Sequence, residues 1–386
     1  MTAGDSGSDS AVRGAGPGAG QGAGQGGAGA EAPLRLGRLG RATHPRRPCV
    51  LVFAGADPSG GAGIAADIQA IAALGAHALP VITTLTVQDN DRVHAVLPVD
   101  PELVLLQARV LIEKSCIDAV KIGIPGSAAN ARAIAQIITE LRAARRAACR
   151  GEVLPQFLNA PDAAFTASAL AIATGDCGAS DTACADTHEA LVAAAGAASG
   201  GAAEPAMPEA GPPLPGDDGW PPGAGFAAPP VVLDPVLASG HGDLLSRDDA
   251  VSALAPLLPL VTVLTPNGPE AGALSGVAGP GADIDPLAHA RALRAQGCQH
   301  VLITGGHGAG DNVINRWYGP ARQQSWSWPR LAGGYHGSGC TLASAVAALL
   351  AQGWPVAQAL ARAQGYTHRA LAEAFAIAPG QLIPRR

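Results

Sequence analysis

Aromatic and charged side chains are scarce in this chain. Of its 386 residues, 3% are aromatic and 15% are charged, whereas 48% are hydrophobic. A core of this composition consists mainly of small aliphatic side chains, which suits helices packed closely on a sheet. The net charge of −6 provides no electrostatic footprint for nucleic acid or for an anionic membrane surface. The composition therefore favours a small-molecule partner.

The chain also lacks the patterns of a structural zinc site, a signal peptide and a membrane span. Its seven cysteines include no pair with a two-residue gap, and their odd number argues against a disulfide framework. No apolar run reaches the roughly 18 residues of a membrane span, and residues 1–30 contain no apolar signal region. We therefore expect a cytoplasmic protein. Five arginines between Arg35 and Arg47 fit a solvated linker, with targeting or nucleic-acid contact as alternatives.

Two segments, residues 1–47 and 150–229, are dominated by glycine, alanine and proline and show neither helical nor strand periodicity. Such segments cannot bury enough apolar surface to fold. We expect a disordered N-terminal tail and a disordered insertion. The remaining residues, 48–149 and 230–380, together have the size of one substantial α/β domain.

Within this domain, apolar β-rich runs alternate with amphipathic stretches. That pattern is typical of a mainly parallel sheet with helices on both faces. The predicted strands are 49–54, 78–84, 119–122, 231–233, 261–264 and 301–303, followed by a hairpin at 312–318 and 324–328. The predicted helices are 63–74, 101–114, 128–146, 248–258, 286–296 and 341–352. Asp100, before Pro101, is a predicted N-cap.

Ligands of such sheets bind beyond the carboxyl ends of the strands, so polar and glycine-rich segments at these ends are candidate sites. In residues 55–63, the glycines allow a ligand to approach the backbone, and the next helix offers a positive N-terminus. A loose dinucleotide pattern from Gly61 leaves a nicotinamide-dependent dehydrogenase open. A flexible turn, with Asp67 favouring the helix dipole, is a second alternative. In residues 86–90, Gln88 either recognises an amide-like or pyrimidine edge with its paired donor and acceptor or belongs to an ordinary polar loop.

Acidic and amide side chains follow two later strands. Asp234 and Asn267 each come after a buried strand, and Glu270 lies three residues beyond Asn267. Carboxylates and carboxamides there suit the Mg²⁺ that phosphoryl transfer needs. The spacing of Asn267 and Glu270 is equally that of a helix cap, and both interpretations stay open.

The last candidate is the glycine turn at 333–340, which runs directly into an apolar helix. Such a turn aims several N–H groups at one point, where a transferred phosphoryl group can be stabilised. Cys340 begins the helix, and we expect this position to favour its thiolate. Cys340 can then accept a proton from a substrate hydroxyl, with a buried structural cysteine as the alternative.

Together these segments resemble the hydroxymethylpyrimidine/phosphomethylpyrimidine kinases of thiamine biosynthesis, which belong to the ribokinase-like superfamily. The matching motifs occur in the order of that family. They are GADPSGGAGI from Gly55 with Asp67, VQDN from Val87, KIG from Lys121, LDPV from Leu233, TPN from Thr265 with Glu270, and GSGC from Gly337.

The resemblance implies a three-layer αβα ribokinase-like domain with a mainly parallel central sheet, acting as a homodimer with ATP and Mg²⁺. It also implies that 4-amino-5-hydroxymethyl-2-methylpyrimidine, and then its monophosphate, is phosphorylated. The implied pyrimidine contacts are Gly55, Asp67, Gln88 and Val236. The implied catalytic residues are Cys340 as base and Gly337, Ser338 and Gly339 as the anion hole. The implied ATP and metal environment is Asp234, Asn267, Glu270 and Thr304, with Mg²⁺ held by Asp234 and Glu270 directly or through water.

The chain departs from the family pattern at Thr304, where many relatives have a lysine before Gly-Gly-His. Some other group, for example the metal, must then neutralise the triphosphate. Two other functions stay open on the sequence alone: a pyridoxal-type vitamin kinase, and a non-catalytic pyrimidine-binding regulatory protein that keeps the fold.

Overall fold

The computed structural model describes residues 46–150, 226–238, 242–243, 245–246, 248–277 and 285–386. The strands are β1 (Cys49–Ala56), β2 (His77–Gln88), β3 (Val93–Pro98), β4 (Ala119–Ile122), β5 (Val231–Leu233), β6 (Val263–Leu264), β7 (His300–Ile303), β8 (Asn312–Tyr318) and β9 (Gln323–Pro329). The helices are α1 (Gly63–Ala73), α2 (Pro101–Lys114), α3 (Ala128–Arg150), α4 (Ala250–Leu254), α5 (Gly268–Ser275), α6 (Pro286–Ala295), α7 (Ser338–Ala351) and α8 (Val356–Ala372). None of these helices combines the length and apolar character needed to cross a bilayer.

All the described strands belong to one sheet in the order β3-β2-β1-β4-β5-β6-β7-β8-β9. The six neighbouring strands β2-β1-β4-β5-β6-β7 are parallel to one another. The strand β3 and the hairpin β8–β9 add antiparallel edges. Both segments of the predicted domain contribute, since β1 to β4 precede residue 150 and β5 to β9 follow residue 229.

Helices cover both faces of the sheet, as β1 shows. Leu51 and Phe53 belong to the apolar cluster that includes α2, α3, α5 and α6. Val50 and Val52 belong to the cluster formed with α1, α7 and α8. Burial on both faces explains why β1 is almost continuously apolar. The predicted three-layer α/β fold with a mainly parallel sheet is confirmed.

Most predicted elements form, and the exceptions have local causes. All the predicted strands and the late hairpin are present, and Asp100 caps α2 by accepting from the Glu102 backbone. The predicted helix 248–258 is wrong over most of its length, because α4 ends at Leu254 and Pro256 cannot continue it. The helix predicted from residue 341 begins three residues earlier, at Ser338. The elements β3 and α8 were not predicted, and α5 was indicated only by the capping interpretation of Asn267 and Glu270.

The predicted disordered tail and insertion fall almost entirely outside the described residues. At the end of the tail, Arg46 donates two hydrogen bonds to the Asp118 carboxylate, each at 2.8 Å. Beyond the predicted domain end at residue 380, Ile383 is buried. The folded unit therefore extends past both of these predicted boundaries.

Candidate active site

A cavity of about 560 Å³ lies at the carboxyl ends of the parallel strands. All but one of the predicted site residues line it. They are Gly55, Gln88, Asp234, Val236, Asn267, Glu270, Thr304, Gly337, Ser338, Gly339 and Cys340. The sheet brings these residues together because its parallel strands end at the same edge.

Asp67 is the exception, and its contact with the pyrimidine stays a prediction. Its side chain is fully buried and does not line the cavity. Lys121 Nζ donates to Asp67 Oδ2 at 2.9 Å, and Ser344 Oγ donates to Oδ1 at 2.7 Å. Burial alone would lower the pKa of Lys121, but Asp67 holds it above its ordinary value. Asp67 is therefore the counterion of a buried lysine, which would be costly to keep unpaired.

A second aspartate, Asp57, organises the loop after β1. Its carboxylate accepts from the backbone N–H of Ser59 at 2.8 Å and of Ala62 at 2.7 Å. The Nε2 atom of His336 lies 2.8 Å from Asp57 Oδ2. Burial would raise the pKa of Asp57, but hydrogen bonds from His336, Gln88 and Ser59 hold it well below its usual range. Asp57 thus joins this loop to the glycine turn. The Asp-Pro-Ser-Gly sequence of residues 57–60 is typical of a turn in which the aspartate accepts from nearby backbone N–H groups, so the role of Asp57 in this loop could be predicted from the sequence.

The glycine turn has the geometry of an anion site. Gly337 is the N-cap of α7 and has φ 75° and ψ 22°, in the left-handed region that favours glycine. A side chain there would overlap the carbonyl oxygen of Gly61. The first helical hydrogen bond is donated by Thr341 to Gly337, so the N–H groups of residues 338–340 have no intrahelical acceptor. These groups can bind the transferred phosphoryl group.

Cys340 lies in the first turn of α7 and is buried. Burial raises the pKa of its thiol to about 12; Lys121 opposes the shift, while Asp67 and Asp234 add to it. The expectation that the helix start favours the thiolate is therefore wrong for the protein without ligands. Loss of hydration outweighs the helix dipole here.

Asp234 and Glu270 form the acidic part of the cavity. Burial raises the pKa of Asp234 to about 6, against the effect of Lys121. Burial, together with Asp234, raises the pKa of Glu270 to about 8. The Oδ2 atom of Asp234 is buried without a hydrogen-bond partner among the described residues. A divalent cation bound here would stabilise the ionised forms of both carboxylates and would give Asp234 Oδ2 a partner.

The two carboxylates of the cavity suit Mg²⁺ better than a metal whose ligands all come from the protein. The described residues contain no group of three histidine, cysteine or acidic ligands around one point. Mg²⁺ usually keeps several waters and binds one or two carboxylates together with substrate phosphates. Asp234 and Glu270 can provide that number of carboxylates.

Asn267 and Glu270 also form the helix cap that the sequence left open. Asn267 Oδ1 accepts from the Glu270 backbone N–H, and Glu270 Oε2 accepts from the Asn267 backbone N–H, both at 2.8 Å. The capping interpretation is confirmed by this reciprocal pair. One carboxylate oxygen of Glu270 is thus engaged at the start of α5, which favours a water-mediated contact with a metal.

Thr304 follows β7 and lines the cavity. The loop after it contacts a positively charged side chain, Arg330, that was not predicted to belong to the site. Arg330 follows β9 and also lines the cavity. Its guanidinium donates to the carbonyl oxygens of Gly306 at 2.8 Å, Gly308 at 2.7 Å and Gly310 at 2.7 Å. Arg330 therefore organises the glycine loop after Thr304 and contributes positive charge there. No local motif marked it.

Comparison with known proteins shows the family of the chain. The chain matches the family described as phosphomethylpyrimidine kinase over residues 57–147 and 224–384. It is 30% identical over 336 residues to the hydroxymethylpyrimidine/phosphomethylpyrimidine kinase of Streptomyces coelicolor, covering 86% of this chain and 92% of that protein.

Two solved structures share the fold. The pyridoxal kinase of Bacillus subtilis, solved as an ADP complex, has a TM-score of 0.59 at 22% identity, covering 88% of this chain and 97% of its own. The phosphomethylpyrimidine kinase of Clostridium difficile 630 has a TM-score of 0.53 at 21% identity, covering 83% and 98%. With more than half of its length matched and its site residues gathered in one cavity, the chain belongs to the phosphomethylpyrimidine kinase family of phosphotransferases.

Proposed function

We propose that the protein transfers the γ-phosphate of ATP to the hydroxyl group of 4-amino-5-hydroxymethyl-2-methylpyrimidine, and then phosphorylates the monophosphate, in thiamine biosynthesis. The observation that carries this proposal is that Gln88, Thr304, Arg330 and the glycine turn all line one cavity. Such a cavity suits an acceptor and a nucleotide on either side of a transferred phosphoryl group.

Gln88 supports an aminopyrimidine as acceptor. Gln88 is one of the hydrogen-bonding groups that hold the pKa of Asp57 below its usual range, so its side chain lies beside that carboxylate in the cavity. The Oε1 atom of Gln88 can accept from the 4-amino group of the substrate. Gly55 allows close approach of the ring, and Val236 contributes an apolar contact.

We assign Cys340 as the acceptor of the hydroxyl proton when the substrate oxygen bonds to the γ-phosphorus of ATP, the bond from that phosphorus to the bridging oxygen breaks, and ADP leaves. Its thiol is neutral in the protein alone, so the site must first lower its pKa. Lys121 acts in that direction, because its ammonium charge stabilises the thiolate. Mg²⁺, held by Asp234 and Glu270 directly or through water, would neutralise the triphosphate oxygens. The backbone N–H groups of the glycine turn would hold the transferred group in place.

An ATP-consumption assay tests the function with three acceptors: the hydroxymethylpyrimidine, its monophosphate and pyridoxal. We expect turnover on both pyrimidines. Turnover on pyridoxal alone would identify a pyridoxal-type vitamin kinase and overturn the substrate assignment. Tight pyrimidine binding without ATP consumption would identify a regulatory protein.

We also propose a cytoplasmic homodimer. Cys49, Cys116, Cys298 and Cys340 are free thiols, as suits a reducing compartment. Leu85, Val87 and Leu97 on the β2–β3 hairpin are 52%, 53% and 46% exposed, and Leu85 pairs with Leu97 across the strands. A second copy covering this apolar face would remove it from water. Sedimentation should show a dimer that Leu85→Lys together with Leu97→Lys converts to a monomer; a monomeric unmodified protein would contradict this proposal.

A further inference from the structure

The segment 379–386 contacts three loops around the cavity. Leu382 accepts from the His336 backbone N–H and donates to the Gly334 carbonyl, both at 2.9 Å, and so pairs with the glycine turn. Asn90, at the tip of the β2–β3 hairpin, donates from Nδ2 to the Gln381 carbonyl at 3.0 Å. The segment thus connects parts of the site that are far apart in sequence.

Arg386 makes the central contacts of this segment. Its Nη2 donates to the carbonyl oxygen of Gly61 at 2.6 Å and to that of Gly337 at 3.3 Å. Its Nε donates to Thr341 Oγ1 at 2.8 Å. Thr341 Oγ1 in turn donates to the Gly337 carbonyl at 2.8 Å. Arg386 therefore joins the loop after β1 to the first turn of α7.

The Gly337 carbonyl belongs to the same peptide plane as the Ser338 N–H group. Because the peptide bond is planar, holding the oxygen in one direction fixes the direction of that N–H. Ser338 N–H is one of the donors without an intrahelical acceptor in the glycine turn. The contacts of Arg386 and Thr341 with the Gly337 oxygen therefore orient a donor of the anion site.

The charge of Arg386 also favours a role in the anion site of the glycine turn. No carboxylate in the described part of the chain pairs with the Arg386 guanidinium, and its Nη1 atom is buried without a partner there. A partly buried cation without a counterion is costly when one of its nitrogen atoms is shielded from water, and an anion held at the adjacent turn would offset that cost.

We propose that Arg386 is a positioning residue for phosphoryl transfer. It sets the peptide plane between Gly337 and Ser338 and adds positive potential behind the glycine turn. The inference rests on the proposed kinase reaction. Arg386 does not itself line the cavity, so it acts through the turn and not by touching the substrate.

The test compares Arg386→Ala and Arg386→Lys with Arg385→Ala as the matched control. The Arg385 side chain is 71% exposed, and its only ion pair in the described residues is with Glu373 at 3.9 Å. With ATP and the hydroxymethylpyrimidine, we expect Arg386→Ala to lower kcat about tenfold or more while KM for the acceptor changes little. Arg386→Lys should recover part of the loss, and added guanidinium ion should partly rescue Arg386→Ala. Arg385→Ala should keep the unmodified kcat.

Hydrogen exchange of the backbone amides gives a readout that does not depend on turnover. Arg386→Ala should accelerate exchange at 337–341 and at 61–63, whereas Arg385→Ala should not. Unchanged kcat and unchanged exchange in Arg386→Ala would overturn the inference, as would a loss of kcat that only follows a lowered Tm. An unmodified protein that phosphorylates no acceptor would refute the proposed function, and the exchange measurement would still test the positioning role.

Discussion

The Nζ atom of Lys121 lies 2.9 Å from Oδ2 of Asp67, and neither side chain is exposed to solvent. Lys121 lies on the central strand β4, and its charge acts on Cys340 and Asp234 as well as on Asp67. The buried Lys121 ammonium therefore stabilises the ionised forms of Asp67, Asp234 and Cys340. This arrangement makes stability and chemistry depend on the same residue.

Replacing Lys121 with methionine should leave Asp67 buried without its counterion. We expect the free energy of unfolding to fall by about 3–5 kcal/mol, as for other broken buried pairs. Urea denaturation would measure the loss. Removing both charges, with Lys121→Met and Asp67→Leu, should recover much of the stability but not the turnover, because Cys340 would still lack the nearby cation. A single variant as stable as the unmodified protein would contradict this account.

Replacing Cys340 with alanine should lower kcat by about 100-fold or more, the range of a lost general base, while acceptor binding is preserved. Steady-state kinetics and calorimetric binding would measure the two effects. Cys298→Ala is a matched control, because burial also raises the pKa of that thiol to about 12 and Cys298 does not line the cavity. Equal kcat in the two variants would remove the assignment of Cys340.

The acidic pair predicts how stability depends on pH and Mg²⁺. Burial raises the pKa of Asp234 from 3.8 to about 6 and that of Glu270 from 4.5 to about 8. Without metal, the folded state therefore retains protons that the unfolded state has lost, and stability falls as pH rises through these values. A metal prefers the ionised carboxylates, so the increase in Tm produced by Mg²⁺ should grow between about pH 5.5 and 8.5.

Thermal melts with and without Mg²⁺ across this pH range would test the linkage. Glu270→Gln should reduce the pH dependence in its upper part, near the raised pKa of Glu270. The exposed Glu373, replaced by glutamine, is the control and should leave the dependence unchanged. An Mg²⁺ effect that is constant with pH would argue against a metal held by Asp234 and Glu270.

Replacing Gly337 with alanine should damage the glycine turn. A left-handed backbone costs a non-glycine residue about 1–2 kcal/mol, and the overlap with Gly61 adds to this. We expect a lower Tm and loss of turnover, measured by thermal melts and the ATP assay. Gly268→Ala should be tolerated, because no atom lies within 4 Å of the position that its Cβ would take. Comparable damage in both variants would show that the left-handed conformation is not the cause.

Local sequence patterns determined much of the fold, and all but one of the site residues predicted from them line the cavity. The continuous apolar run of β1, the glycine turn before α7 and the residues that follow each parallel strand are recognisable from neighbours only a few positions away. Because parallel strands end at one edge of the sheet, the polar and glycine-rich segments that follow the strands were recognisable as candidate parts of one site.

Only the tertiary structure decided how charged groups are paired and buried. Asp67 meets Lys121 across 54 positions, His336 meets Asp57 across 279, and Arg386 meets Gly61 across 325. Such contacts carry no local periodicity, because they arise when distant segments pack together. The raised pKa of Cys340 has the same origin. Its place at a helix start could be predicted from the sequence, but the loss of hydration that outweighs the helix dipole comes from the packing around it.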